Sequence, residues 1–414
     1  MRRQVAAQLV AAAAAAIVLL TGCARPASIP NEQPASATLI GLGQVGDRAA
    51  VPWSQVGDGW FLVTEDTSRL IDVSASAPMT QIPGVRRSWL VDPLGGKYLL
   101  DERSATDGSR EEWLQAWSWD GRHVLYSHSD GRVTEVDLAS GRTTHTFALP
   151  VGAASDLIAL SYADPQGDRL LMWTQEWVDG AGAGAGLRVL DLTGRVRARL
   201  LTNDAVPAVW SRRSLVAVDG TKVFLSGRDG LRVVAMSGGP VRAVGVVSAG
   251  GTCDPVRWWA SHTILAVCNA GPATRLWLVP DGGGAATPLT TPVAAPGSGA
   301  ASSDSQPPDR GSVDAVKLAG GAVYLQRPTE CGGMEIAALQ PDGSGRRVDI
   351  PDSLGTDLLI GATADKLAVV SYDYTECGRS SWFGFYDPAR NVTTRIVTDA
   401  PGESGAGALA YRRG

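Results

Sequence analysis

The chain has only four histidines in 414 residues, His123, His128, His145 and His262. Imidazole metal or acid–base chemistry would need them brought together. His123 and His128 are five apart on a segment read as strand and loop, so they point to opposite faces. No H-E-x-x-H, G-x-S-x-G or G-x-x-x-x-G-K-[ST] pattern occurs. Residues 181–186, AGAGAG, read as a flexible loop before a strand over 187–192, not as a phosphate cradle. Glycosidic chemistry needs only two carboxylates gathered by the fold. No catalytic residue is assigned, and neither cofactor nor metal is expected. Thirteen Trp against five Phe is the one compositional excess that suggests recognition. Inside apolar strands Trp173, Trp258 and Trp277 read as fillers of wedge-shaped gaps. Trp113, beside Glu111 and Glu112, and Trp177, beside Glu176 and Asp179, read as loop residues and are the candidate recognition positions, suited to stacking on a sugar or anchoring a protein.

Cys23 carries a different chemistry. Met1-Arg2-Arg3 is a basic start, residues 5–20 are apolar apart from Gln8, and Leu20-Thr21-Gly22-Cys23 follows. That order is an export signal rather than a spanning helix. The last four residues resemble the lipobox of bacterial lipoproteins. The resemblance implies a diacylglycerol on the Cys23 sulfur, cleavage before it, and acylation of the new amino group. Two or three acyl chains make a stable anchor where one would be marginal. The organisation expected is a signal peptide over 1–22, a Pro/Ala/Ser tether over 23–40 and a folded body over 41–414. The body would lie on the extracytoplasmic side of the cell membrane.

In an oxidising compartment the remaining four cysteines, Cys253, Cys268, Cys331 and Cys377, read as two disulfides. Two apolar stretches flank Ala260-Ser261-His262, so a hairpin turning there sets Cys253 opposite Cys268, close enough for a bond. Cys331 and Cys377 then pair by elimination. Metal binding by these two with Glu330 and Glu376 lacks a C-x-x-C or a nearby His, and disulfides are the better reading.

The elements that would position these groups repeat. An aliphatic strand, a turn usually holding Gly, and a second strand recur around Ile71, Val136, Leu190, Val234, Leu278, Leu339 and Phe385, at spacings of 65, 54, 44, 44, 61 and 46. A basal period near 45 residues is that of four-stranded propeller blades. The long intervals hold extra material: a low-complexity loop over 282–312 and a polar insertion at 104–109. In residues 134–138, TEVDL, alternation places Glu135 and Asp137 on a wet face. More continuously apolar segments such as 60–63, 124–126 and 170–173 fit inner strands packed between neighbouring blades. Thr329-Glu330-Cys331-Gly332 and Thr375-Glu376-Cys377-Gly378 are 46 residues apart, so the second disulfide would staple adjacent blades. Residues 39–42 or 408–412 would supply the strand that closes the ring. The fold expected is an all-β, seven-bladed propeller, with six or eight blades left open by the uneven spacing.

Residues 119–125, WDGRHVL, followed by Val136-Asp137-Leu138, and the tails 278–284 and 339–345, resemble the repeats of TolB-type propellers. The resemblance covers nearly all of residues 41–414, with Trp119 standing where that family has Pro. It implies protein–protein contact in the cell envelope and no catalysis.

Charge excludes one class of partner. The chain carries 37 basic and 42 acidic residues, and removing 1–22 leaves 35 against 42, a formal −7. Scattered arginine on an acidic chain is not a nucleic-acid surface. Gly 49 and Pro 24 favour short strands over helices. The Arg-over-Lys bias and heavy Ala and Gly use are those of a high-GC, actinobacterial genome. The function expected is a lipid-anchored binding or scaffold module with an envelope protein partner. The alternative is a carbohydrate-binding or cell-wall-processing protein, active on glycans.

Overall fold

Apolar runs separated by Asp/Gly turns of a few residues can only double back as hairpins, and each repeat does so. The computed structural model describes residues 39, 41–67, 69–71, 80–82, 84–105, 112–150, 155–178, 181–201, 214–245, 251–270, 273–291, 311–329, 333–373, 381–398 and 407–410. They form seven radial antiparallel sheets, blades 1 to 7 in chain order. Blade 2 shows the unit: Glu112–Trp117, His123–His128, Arg132–Asp137 and Arg142–Ala148, from the axis outward. The innermost strands of blades 3 to 7 are Ser155–Tyr162, Ser214–Val216, Thr252–Ala260, Asp314–Lys317 and Thr356–Ala362. The continuously apolar segments are inner strands, the second of each blade. They lose alternation because neighbouring blades cover both of their faces.

Blade 1 closes the ring. Its innermost strand is the C-terminal Gly407–Ala410, which pairs with Phe61–Asp66 in the register Phe61↔Ala410 to Thr64↔Gly407. That closing strand touches the innermost strands of blades 2 and 7. The outer strands of blade 1 are Gly84–Val91 and Lys97–Ala105. The repeat around Ile71 is thus not a blade edge. Arg69–Ile71 and Thr80–Ile82 pair only with each other, as a hairpin between the second and third strands. Residues 84–91 win the sheet position because Trp89, Leu90 and Val91 are buried there opposite Phe61, Leu62 and Val63. Ser104 and Ala105 belong to the outer strand, so the polar insertion begins after them. Residues 181–186 are also strand, paired with 174–178. The register is tight at Gly186, where a Cβ would lie 3.0 Å from Thr174 Oγ1. Within the low-complexity stretch, Thr287–Pro288 forms the outer strand of blade 5.

The core lies in the seams between blades, and tryptophan is well suited to them. Trp173 of blade 3 donates its indole N–H to Ser214 Oγ of blade 4 at 2.9 Å, and Trp258 of blade 5 donates to the Val216 carbonyl at 3.0 Å. Trp173, Trp258 and Trp277 are all buried. The seam between blades 7 and 1 is filled by Phe61 against Phe383 and Phe385, with ring centroids 5.4 and 5.6 Å apart. At Trp173 and Trp258 the ring spans the wedge and its indole N–H finds an acceptor across it, whereas Trp277 Nε1 has no hydrogen-bond partner among the described residues.

Before entering blade 1, the chain crosses the outside of that blade. Val45–Asp47 adds a parallel edge strand beside Lys97–Leu99. Arg48 then reaches over the seam, donating Nη2 to the Leu100 carbonyl of blade 1 and Nη1 to the Ser140 carbonyl of blade 2. Gly141 leaves room for it, because a Cβ there would meet the guanidinium. Charge-assisted bonds to two carbonyls on a half-exposed side chain are worth about 1–2 kcal/mol. Arg48→Ala is expected to lower stability by that amount in urea titration, and an unchanged midpoint would show that the strap does not clamp the seam.

Candidate interaction face

The two faces of the ring are built differently. On one, the links between first and second strands and between third and fourth strands run two to six residues, from 261–262 to 236–241. Aspartate caps most of them. Asp191 Oδ1 accepts from the amides of Thr193 at 2.9 Å and Arg195 at 3.0 Å, and Asp219 and Asp342 repeat the motif. On the other face the connections run from two residues, 179–180 and 271–272, to 25, residues 289–313. Uniform turns on one side and uneven connections on the other mark the second as the side where sequence is free to vary.

The turn carboxylates make a testable contribution to stability. Asp191 is lowered to about 2, chiefly by the Thr193 hydroxyl, with its backbone donors and Arg197 adding and burial opposing. For Asp120 burial works to raise the value, but bonds from His123, Ser118 and the Arg122 amide outweigh it and hold the carboxyl far below its usual range. A depressed folded pKa gives stability that is complete above the unfolded value near 4 and is lost as pH falls through the folded one. Urea midpoints are therefore expected to fall between about pH 4 and pH 2, and Asp191→Asn to flatten that slope. A wild-type slope retained in the variant would remove Asp191 from the account.

Both candidate tryptophans belong to the uneven face. Trp113 is the second residue of blade 2's innermost strand and is half-buried. Trp177 is the penultimate residue of Arg169–Val178, paired with Gly182, so it is a strand residue and not a loop one. Strand ends of blade 1 bring a lattice of charge to this side. Arg86 pairs with Asp66 at 2.9 Å, and Arg87 with Glu102 at 2.6 Å and Glu65 at 3.6 Å. Trp89 donates its indole N–H to Glu65 at 2.7 Å. The Glu102 bond holds the Arg87 guanidinium above its ordinary value against the opposing effect of burial. These are cross-strand pairs of the register, Arg86↔Asp66 and Arg87↔Glu65. The acids at 65–66 and 102 and the arginines at 86–87 are brought together only by the third strand's place in the sheet.

The histidines are not gathered. His123 bridges Asp120 at 3.3 Å and Asp137 at 3.8 Å, His128 meets Thr134 at 2.9 Å, and His262 lies 3.5 Å from Asp281. His145 Nδ1 sits 2.7 Å from Glu135. Glu135 does not face water: it is 3% exposed and accepts from Tyr162 of blade 3 at 2.9 Å. Alternation predicted its side of the strand, but the next blade covers that side. Among the described residues no cluster of three or more His, Cys, Asp or Glu could hold a metal. A cleft of about 310 Å³ between blades 1 and 2 is lined by Arg48, Asp101, Arg103 and His128.

Cys253 and Cys268 stand directly opposite in the blade 5 register, both buried, and are joined with an S–S distance of 2.12 Å. Cys23, Cys331 and Cys377 lie outside the described residues.

No protein-family model matches the chain, and no curated relative matches it. Solved structures similar to it include a TolB from Agrobacterium tumefaciens, 13% identical over 85% of this chain and 98% of that one, with a TM-score of 0.35. BamB from Moraxella catarrhalis is 15% identical over 83% and 92% of the two chains, with a TM-score of 0.39. An oligogalacturonate lyase in complex with manganese is 14% identical over 70% and 82%, with a TM-score of 0.46. At such identities and scores nothing passes from them to this chain, and the architecture rests on its own seven sheets. The chain is a seven-bladed β-propeller closed by its own C-terminal strand.

Proposed function

We propose that this propeller is a lipid-anchored, extracytoplasmic module that binds protein partners or scaffolds them in the cell envelope. The observation that carries the reading is the unequal build of the two faces: turns of two to six residues on one, connections of two to 25 on the other. A rigid ring whose connections are uneven on one side only is suited to holding a partner there. The residues 20–23, LTGC, supply the anchor, and the buried Cys253–Cys268 bond suits a compartment where disulfides persist. A Cys331–Cys377 staple would add a second. Trp113 and Trp177 would offer aromatic anchors at the partner side.

Crosslinked co-purification of the lipidated protein from native membranes tests this. A protein companion at near-equal amount, lost with Trp113→Ala and Trp177→Ala, is the expected result. Recovery of envelope glycan without protein would replace the reading with the carbohydrate one. Mass analysis of the same sample reads Cys23, where an unmodified thiol would remove the anchor.

A further inference from the structure

Large apolar side chains exposed to solvent are not scattered over this ring. Among the described residues they are Leu42, Val45, Leu94, Val241 and Val392, and all five lie on the short-turn side. Three of them meet at one turn, and a fourth opens the outer strand of the neighbouring blade. Leu94 sits in the turn between the outer strands of blade 1, and Val45 pairs beside it at Lys97. Leu42 folds over that same turn, its Cδ1 2.7 Å from where a Cβ on Gly95 would lie, with Ile396 of blade 7 at 3.5 Å. Val392 opens the outer strand of blade 7 that carries Ile396. Their exposures are 54% for Leu42, 61% for Val45, 51% for Leu94 and 50% for Val392. The described cations at this seam are engaged within the protein: Lys97 Nζ donates to the Ile396 carbonyl at 3.1 Å and lies over the Trp89 ring at 4.5 Å, Arg390 pairs with Asp387 at 3.8 Å, and Arg395 pairs with Asp352 at 3.6 Å.

The body of the chain also starts here. Leu39 and Gly41 are its first described residues, immediately before this seam. Fifteen residues, 24–38, separate them from Cys23. A tether of that length and composition spans roughly 20 Å on average. The strands Phe61–Asp66, Gly84–Val91 and Lys97–Ala105 of blade 1, six to nine residues long, place the far face roughly 20–30 Å further off. An acyl group on Cys23 would therefore keep the blade 1–blade 7 seam nearer the bilayer, on average, than the uneven face.

We propose that the exposed apolar seam formed by Leu42, Val45, Leu94 and Val392 is a membrane-contact surface, seated in the lipid interface next to the anchor, so that the uneven face points outward. This rests on the anchored reading above. Tethering supplies the proximity, and a few aliphatic side chains suffice for contact once the anchor holds the body near. Because the described basic side chains at the seam are paired with carboxylates or carbonyls of the protein itself, contact should not require anionic lipid and should resist added salt.

Hydroxyl-radical footprinting of the full lipidated protein in phosphatidylethanolamine–phosphatidylglycerol vesicles tests it. Val241, exposed on the same side but at blade 4, serves as the internal reference. Leu42, Leu94 and Val392 are expected to be oxidised about threefold less than Val241 after correction for exposure. In the doubly substituted Leu42→Ser, Leu94→Ser protein, oxidation of Val45 and Val392 should return to the reference level. Equal oxidation at the seam and at Val241, with Cys23 acylated in the same digest, would overturn the contact and leave the anchor standing. An unacylated Cys23 would overturn both. Protection that rises with protein concentration at fixed lipid would assign the seam to a second copy of this chain and overturn the membrane contact.

Discussion

A chain ending at residue 406 is expected to lose its cooperative fold, not merely its last strand. Gly407–Ala410 supplies four residue pairs to Phe61–Thr64. Without it, the edge containing Phe61, Leu62 and Val63, each no more than 1% exposed, would open onto the axis. Ala408 is buried in the cluster that joins blades 7 and 1, and Leu409 packs into the one that joins blades 1 and 2. The strand is also gripped from blade 7, where a Cβ on Gly361 would lie 3.2 Å from the Phe61 ring and 3.3 Å from the Ala410 methyl. Lost ladder bonds at about 1 kcal/mol each, together with the uncovered apolar edge, amount to on the order of 5 kcal/mol. That is comparable to the whole stability of many domains. The truncated protein should show no sharp urea transition and should be cut rapidly by protease. Leu409→Asp keeps the backbone pairs while placing a charge in the blade 1–blade 2 cluster, and should lose about 3 kcal/mol. A truncated chain that melts like wild type would mean that the ring is held without its closing strand.

The sequence made the architecture readable because a propeller repeats one local rule. Six of the seven aligned strand pairs, those around Val136, Leu190, Val234, Leu278, Leu339 and Phe385, are outer strand pairs of blades 2 to 7. The seventh failed for a physical reason. Around Ile71 the local pattern is as good as any, but residues 84–105 offer a Trp-containing strand that buries more against Phe61–Val63, and tertiary competition decides. Nor does strand alternation report exposure in this fold. Glu135 reads as wet, yet it is covered, because each blade's face is its neighbour's core. The opposition of Cys253 and Cys268 was legible since a hairpin fixes register over a short span. The charge lattice at the end of blade 1 was not, since its partners are 15 to 24 residues apart and only the third strand's placement unites them. The crossing of Arg48 to Ser140 spans 92 residues and leaves no local trace at all.

Glu135→Ala is expected to be the most damaging single truncation of a polar side chain in blade 2, at on the order of 3 kcal/mol. Its carboxylate gathers the Tyr162 hydroxyl at 2.9 Å, the Thr144 hydroxyl at 2.6 Å and His145 Nδ1 at 2.7 Å. Tyr162 is 2% exposed in the seam with blade 3, so removing its acceptor strands a buried phenol O–H. Tyr162→Phe removes the donor instead, leaves the carboxylate two other partners, and should cost about 1–2 kcal/mol. The double variant should cost less than the two single changes together by about 1 kcal/mol or more, the mark of a shared bond. Strict additivity in urea titrations would show that the node does not join the blades. The same pair predicts an alkaline signature. Burial raises the Tyr162 phenol well above its ordinary value of 10, and the Glu135 charge and hydrogen bond push the same way. The folded chain then keeps a proton that the unfolded chain gives up above about pH 10, so stability falls as pH rises past that point. Tyr162→Phe should abolish that part of the decline between about pH 9 and 11. An unchanged alkaline slope in the variant would assign the loss to other groups.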